Sequence, residues 1–134
     1  MGRKAFTLLE LLFTTIIVGA MAAAAIPTYT KAIERTYWQN GQDILYTIYN
    51  GERTYYFEND VYKSLTTASS MAEWRQIYMD NPNFGPVSYS VTVAGTGPGA
   101  TFTATATRTS SGTSMTINQD RTFNASGTDN WPRP

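Results

Sequence analysis

The feature that most constrains this chain is an apolar run over residues 6–26, which contains a single charged residue, Glu10. A helix of about 21 residues rises about 1.5 Å per residue and reaches about 30 Å, the thickness of the hydrocarbon core of a bilayer. Arg3 and Lys4 directly precede the run, and basic residues stay on the cytoplasmic side of a membrane. The sequence therefore predicts one membrane-spanning helix with a cytoplasmic N-terminus and an exported remainder.

Helical periodicity continues beyond Pro27 to about residue 57, so we expect one long helix. Apolar residues recur there at steps of three and four residues. The predicted apolar stripe comprises Ile33, Tyr37, Gly41, Ile44, Leu45, Ile48, Tyr49 and Tyr55. Proline lacks an N–H and clashes with the preceding turn, which makes Pro27 the predicted place of a kink. A domain of this size cannot bury such a helix along its whole length, so its apolar half, residues 6–27, is expected to protrude and to find partners elsewhere.

The rest of the chain predicts a small sheet. Ser69, Ser70 and Glu73 indicate a capped short helix within a connecting region, residues 58–86. The period changes to two over residues 87–119, where three alternating runs are separated by glycine-containing turns. Residues 120–134 are expected to form a polar tail, without regular structure from residue 124. We therefore predict an α+β fold in which the second half of the long helix, residues 28–57, packs on an antiparallel sheet of three to four strands.

Composition argues against several classes of function. The sequence has no cysteine and no histidine, so it lacks the usual nucleophile, general base and zinc ligands. Ten basic and ten acidic residues balance, and the basic residues are scattered, which does not favour nucleic-acid binding. Four loop aspartates lack the spacing of a calcium loop and are interpreted as solvated turn residues: Asp60, Asp80, Asp120 and Asp129. We expect no catalytic residues, no cofactor and no metal.

Glu10 needs a specific explanation, because a carboxylate costs about 2.5–3.5 kcal/mol at the centre of a spanning helix and less near its end. A cut between Ala5 and Phe6 would create an α-amino group, a cation, about one helical turn from Glu10. In a bundle of parallel, staggered helices, Glu10 of one subunit would pair with the Phe6 amine of the next. That pair would set the register of addition, since either charge buried alone is strongly unfavourable.

Seven consecutive residues carry a family resemblance: Lys4, Ala5, Phe6, Thr7, Leu8, Leu9 and Glu10. Preceded by a short basic leader and followed by an apolar helix, they resemble the N-terminus of the type IV pilin and pseudopilin superfamily. The resemblance is close over residues 3–27 and architectural beyond them. Ala5 stands where glycine is commoner in the family, and the cysteines that close a C-terminal loop in many pilins are missing.

The resemblance implies a maturation and assembly pathway. A prepilin peptidase would remove the leader, residues 1–5, by cutting after Ala5, and Phe6 would be N-methylated. An assembly ATPase and a platform protein would then extract the subunit from the inner membrane into a helical homo-oligomeric filament. We expect a pilin whose filament is extracellular; the alternative within the family is a type II secretion pseudopilin, whose filament stays in the periplasm.

Three other interpretations of the residues stay open. A secretory signal peptide cut within residues 20–25 would release a soluble binding or adhesive domain. An uncleaved signal anchor would leave a membrane protein that does not polymerise. A membrane-tethered enzyme would need two carboxylates that converge in a cleft. The two signal interpretations leave Glu10 unexplained, because the hydrophobic region of a signal has no use for a carboxylate.

Overall fold

The computed structural model describes residues 6–126 of the 134-residue chain. In chain order the elements are α1 (Leu8–Asn59), α2 (Met71–Trp74) with a 3₁₀ turn (Arg75–Ile77), β1 (Val87–Ala94), a second 3₁₀ turn (Gly97–Gly99), β2 (Thr101–Arg108), β3 (Ser114–Asn118) and β4 (Phe123–Ser126). The strands form an antiparallel sheet in the order β1-β2-β3-β4. The α+β fold predicted from the sequence is confirmed.

The chain divides into two units, Met1–Glu34 and Arg35–Pro134, and α1 contributes residues to both. In the first unit, α1 continues through Pro27 without a break in helical structure. The Thr28 hydroxyl donates to the Ala24 carbonyl at 3.4 Å, and the Thr30 hydroxyl donates to the Pro27 carbonyl at 3.1 Å. These hydroxyls donate to the Ala24 and Pro27 carbonyls, whereas the N–H that Pro27 lacks would have served the Ala23 carbonyl. A bend at Pro27 stays a prediction.

In the second unit, one face of α1 is buried under the sheet. The buried residues of this face are Trp38, Gly41, Leu45, Ile48, Tyr49, Gly51 and Glu52. The predicted stripe is confirmed at Gly41, Leu45, Ile48 and Tyr49, whereas Tyr37, Ile44 and Tyr55 are partly buried at its border. Burial of a side chain such as Leu45 stabilises the fold by about 1.5–3 kcal/mol. The second half of the helix is therefore held by packing.

On the inner face of the sheet, large side chains of β1 and β3 flank two alanines of β2. In the β1-β2-β3 register, Val91 lies opposite Ala104, and Ala104 lies opposite Ile117. A parallel row pairs Tyr89 with Ala106 and Ala106 with Met115. All six side chains are buried. Alanine side chains are small, so β2 leaves room at these two positions for the large side chains of α1.

Aromatic rings of α1 also contact side chains of β2 and β4. The Arg108 guanidinium lies 4.3 Å from the centre of the Tyr37 ring and donates to the Pro86 carbonyl at 2.9 Å. Tyr46 contacts Phe123 of β4 edge-on, with ring centres 4.8 Å apart. Cation–π and edge-to-face contacts of this kind each add about 0.5–1.5 kcal/mol to the burial of the rings.

The short helix of the connecting region begins with the cap that the sequence predicts. The Ser70 hydroxyl accepts the Glu73 N–H at 3.3 Å, and the Ser70 N–H donates to the Glu73 carboxylate at 2.6 Å, which completes a capping box. The Ser70 N–H and the Ser70 hydroxyl both donate to the Glu73 carboxylate and hold the pKa of that carboxyl below its ordinary value. The helix tightens into the 3₁₀ turn and ends at Tyr78, whose φ of 62° is left-handed.

The predicted C-terminal boundary of the sheet, residue 119, is wrong. The alternating pattern placed the sheet at residues 87–119 and an irregular tail after it, whereas Phe123–Ser126 forms β4 and pairs with β3. The strand was missed because Asn124 and Ser126 are polar and exposed, so the period-two pattern is too short to detect. The packing of Phe123 on Tyr46 fixes it in place. Residues 127–134 of the predicted tail lie outside the described residues.

Two glycines on the buried face of α1 give a matched test of helix packing. A Cβ built on Gly51 would fall on the backbone carbonyl of Ile77, and backbone cannot move aside as a flexible side chain can. A Cβ on Gly41 would lie 3.9 Å from the Tyr89 hydroxyl, an ordinary contact. Gly51→Ala should therefore destabilise the protein by about 1–3 kcal/mol, whereas Gly41→Ala should be neutral or stabilise it by up to about 1 kcal/mol.

Thermal unfolding of the full chain in detergent measures both changes. Equal midpoints for the two variants would contradict the close approach of α1 to the 3₁₀ turn.

Candidate functional site in the N-terminal helix

The first half of α1 presents its apolar side chains outward along its whole length. Those more than half exposed in residues 6–26 include Phe6, Leu8, Leu9, Leu11, Leu12, Phe13, Ile16, Ile17, Val18, Met21 and Ile26. The helix is long and apolar enough to cross a membrane, and none of its most apolar 18-residue window is buried within the chain. Water is a poor solvent for such a surface, so it needs lipid or other helices around it.

Thr7 caps the start of this helix. Its carbonyl accepts the Leu11 N–H at 3.2 Å, and its hydroxyl accepts the Glu10 N–H at 3.3 Å. This is the arrangement of an N-cap threonine, which satisfies one of the donors that the first turn leaves without partners. Glu10 is thereby fixed in the first turn, where the helix macrodipole favours a negative charge.

Glu10 is far from any cation within the described helix. The first lysine or arginine after residue 6 is Lys31, which is about 30 Å farther along a helix that rises about 1.5 Å per residue. The helix dipole offsets the carboxylate in part, but its effect is confined to the first turn and is worth about 0.3–1 kcal/mol. The helix therefore presents a carboxylate in its first turn on an apolar surface, and residues 6–30 contain no lysine or arginine.

The predicted site residues that lie in the described part of the chain are Phe6, Glu10 and Pro27. Phe6 precedes the capping threonine, four residues before Glu10, and its side chain is 74% exposed. Arg3, Lys4 and Ala5, which the sequence assigns to topology and cleavage, lie outside the described residues. The assignments of Phe6 and Glu10 to cleavage, methylation and assembly stay predictions.

Sequence reasoning missed the role of Thr7, although a signal for it was present. Thr7 and Glu10 have the spacing of a capping box, a threonine followed three residues later by a glutamate. The spacing was hidden because both residues belong to the motif that carries the family resemblance. It also missed Glu52, which lies seven residues, or two turns, after Leu45 on the buried face of α1.

The loop aspartates are dispersed. Asp80 pairs with Arg75 at 2.9 Å, and Asp120 accepts a hydrogen bond from the Gln119 amide. Asp129 lies outside the described residues. Within residues 6–126, no group of three or more acidic side chains comes together in a way that would hold a metal ion.

The cap gives a prediction for the N-terminus of the helix. Thr7→Ala removes the acceptor of the Glu10 N–H, which should cost about 1 kcal/mol of local helix stability and raise the exchange rate of that amide about fivefold. Thr15→Ala is the matched control, because the Thr15 hydroxyl only donates to the Leu12 carbonyl of its own helix. Amide exchange in detergent micelles measures both. Unchanged protection of Glu10 in Thr7→Ala would contradict the cap.

Comparison with known proteins finds a type IV major pilin protein, PilA of Myxococcus xanthus (strain DK1622), which is 29% identical to this chain over 72 residues. The matched part is 54% of this chain and 33% of the Myxococcus protein. No protein-family model matches the chain, and no solved structure matches it. The long apolar N-terminal helix and the match to a type IV major pilin together fit the type IV pilin superfamily.

Proposed function

We propose that this protein is a structural subunit that polymerises into a type IV pilus through its N-terminal helix. The observation that carries the proposal is Glu10, a carboxylate fixed in the first turn of an exposed apolar helix whose first cation is Lys31. A second copy of the chain can supply both things that this helix lacks, an apolar surface and a positive charge. The similarity to a major pilin supports the same conclusion.

Cleavage creates the positive charge in this mechanism. Removal of residues 1–5 takes away Arg3 and Lys4 and leaves the α-amino group of Phe6 as the new N-terminal charge. In a staggered bundle, this amine lies against Glu10 of the adjacent subunit. A buried carboxylate without its partner costs several kcal/mol, so a subunit that enters one step out of register is rejected.

Apolar contact supplies the larger part of the association energy. The exposed side chains of residues 8–26 leave the bilayer and pack against the same residues of neighbouring copies. Small side chains at Gly19, Ala20 and residues 22–25 allow helix backbones to approach closely. Since lipid is as apolar as leucine, the gain on leaving the membrane comes from this packing, and the charge pair decides the register.

The remaining site residues serve the steps before assembly. Arg3 and Lys4 keep the N-terminus in the cytoplasm, a prepilin peptidase cuts between Ala5 and Phe6, and the Phe6 amine is methylated. Pro27 gives the helix a place to bend as it leaves the membrane. A platform protein and an assembly ATPase move the subunit from the inner membrane into the filament.

The proposal is structural and not enzymatic. An enzyme built on carboxylates needs two acidic side chains that converge in one cleft. The buried acid Glu52 instead interacts with Lys63 and Tyr62. A type II secretion pseudopilin would use the same N-terminal geometry. We favour the pilus because the similar protein is described as a major pilin.

The decisive variant is Glu10→Gln, which keeps the size of the side chain and removes its charge. We expect normal amounts of processed protein in the membrane and at least a tenfold loss of subunit from sheared surface filaments, because the pair with the Phe6 amine is gone. Immunoblots of membrane and sheared fractions measure the two pools.

Thr14→Ala is the matched control, since Thr14 lies one turn after Glu10 and its hydroxyl only donates to the Leu11 carbonyl. It should assemble normally. Filaments at the normal level from Glu10→Gln would show that the charge does not set the register.

A further inference from the structure

Glu52 is a carboxyl group inside the core of the second unit. Its exposed fraction is 0%, and it follows Leu45 and Ile48 along the buried face of α1. The Oε2 atom accepts the backbone N–H of Lys63 at 2.8 Å. The Oε1 atom has no hydrogen-bond partner within the described residues. A buried carboxyl with one donor is tolerated when neutral and costly when ionised.

The donor belongs to a segment that closes the edge of the sheet. We call residues 62–66 the edge segment. The Leu65 N–H donates to the Val91 carbonyl at 3.0 Å, and the Val91 N–H donates to the Leu65 carbonyl at 2.7 Å. The Ser64 hydroxyl adds a bond to the same Val91 carbonyl at 3.2 Å. The edge segment therefore pairs the outward backbone groups of Val91 on β1, which would otherwise be open to another chain.

Aromatic stacking fastens the edge segment over Glu52. The ring of Tyr62 lies 4.5 Å from that of Tyr56 on α1 and 4.8 Å from that of Phe102 on β2, centre to centre. With the edge segment in this position, Glu52 has no solvent-exposed surface. Opening of the edge segment is thus the route by which an ionised Glu52 can be hydrated.

Few other charges act on this group. On the edge segment they are Lys63, which is attractive, and Tyr62. On α1, Arg53 donates to the Tyr49 hydroxyl at 3.1 Å, and Glu58 accepts from the Tyr78 hydroxyl. On the 3₁₀ turn, Arg75 pairs with Asp80. On the strands packed against α1, Arg108 bonds the Pro86 carbonyl. Lys63 is therefore the cation that acts on Glu52.

We propose that Glu52 is a pH-sensitive latch that keeps the edge segment closed on β1 while its carboxyl is protonated and releases the segment when the carboxyl ionises. The proposal concerns the second unit alone and does not depend on filament assembly. Release would expose the edge of β1, the part of a sheet that pairs most readily with another strand.

The electrostatics give the latch its pH range. Burial raises the pKa of the Glu52 carboxyl from an ordinary 4.5 to about 7, against a smaller lowering by the Lys63 N–H and by the Lys63 charge. Between pH 4.5 and about pH 7, Glu52 stays protonated in the closed form and is ionised in the open form, so closure weakens as the pH rises. Below pH 4.5 closure is at its strongest, and above pH 7 the loss is complete.

Amide exchange on the full chain in detergent micelles tests the latch. After correction for the intrinsic exchange rate, protection at the Lys63 and Leu65 amides should fall on the order of 100-fold between pH 5 and pH 8. Protection at the amides of Ala104 and Ala106 on β2 should change much less. A parallel loss at all four amides would overturn the latch, because it would mean that Glu52 acts on global unfolding.

Two variants test whether Glu52, and not another acidic residue, causes the pH dependence of protection. Glu52→Gln should make protection at Lys63 and Leu65 independent of pH. Glu58→Gln, a change to an exposed acid two turns later on α1, should keep the wild-type pH dependence. A wild-type dependence in Glu52→Gln would overturn the proposal.

A measurement on the wild-type protein covers the case in which Glu52→Gln does not fold. The carboxyl carbon of Glu52, followed by NMR against pH, should titrate with a midpoint near 7 that coincides with the midpoint of the exchange curve. A midpoint below pH 5 would overturn the proposal.

Discussion

The rest of this structure depends on one constraint, a helix whose first half carries apolar side chains that no described residue covers. Residues 8–26 are exposed throughout, and each square ångström of apolar surface left in water forgoes about 25 cal/mol. Such a helix is stable in a bilayer or against other helices of its kind. In the proposed filament, Glu10 selects the register of the neighbouring helix, because a carboxylate on that apolar surface is favoured beside a cation.

The second unit solves a different problem with the same helix. Its single four-stranded sheet has one apolar face that needs a cover, and α1 supplies this other half of the core. Alanines on the central strand admit the large side chains of the helix, and Gly51 lets it come against the backbone of Ile77. The same buried face of α1 carries Glu52, a polar side chain. In the proposed latch, its carboxyl makes closure of the edge segment depend on pH.

Much of the fold could be predicted because its determinants are local. Helical periodicity located α1 to within two residues of its end, and the Ser70 and Glu73 pair located the start of α2. The position of β4 depends on the contact of Phe123 with Tyr46, and the bridge between Leu65 and Val91 joins segments distant in sequence. No local pattern encodes such contacts. The roles of Phe6 and Glu10 came from resemblance and charge, and the structure adds the cap at Thr7.

The central claim is that residues 6–26 are retained as the core of a filament, and the mature N-terminus tests it most directly. Intact mass and N-terminal sequencing of the mature protein from membrane and sheared-surface fractions give that terminus and its modification. We expect a chain that begins at Phe6 and carries the additional mass of one methyl group. A chain that begins within residues 22–26 would contradict it, because the helix would then be a discarded signal and the second unit a secreted domain.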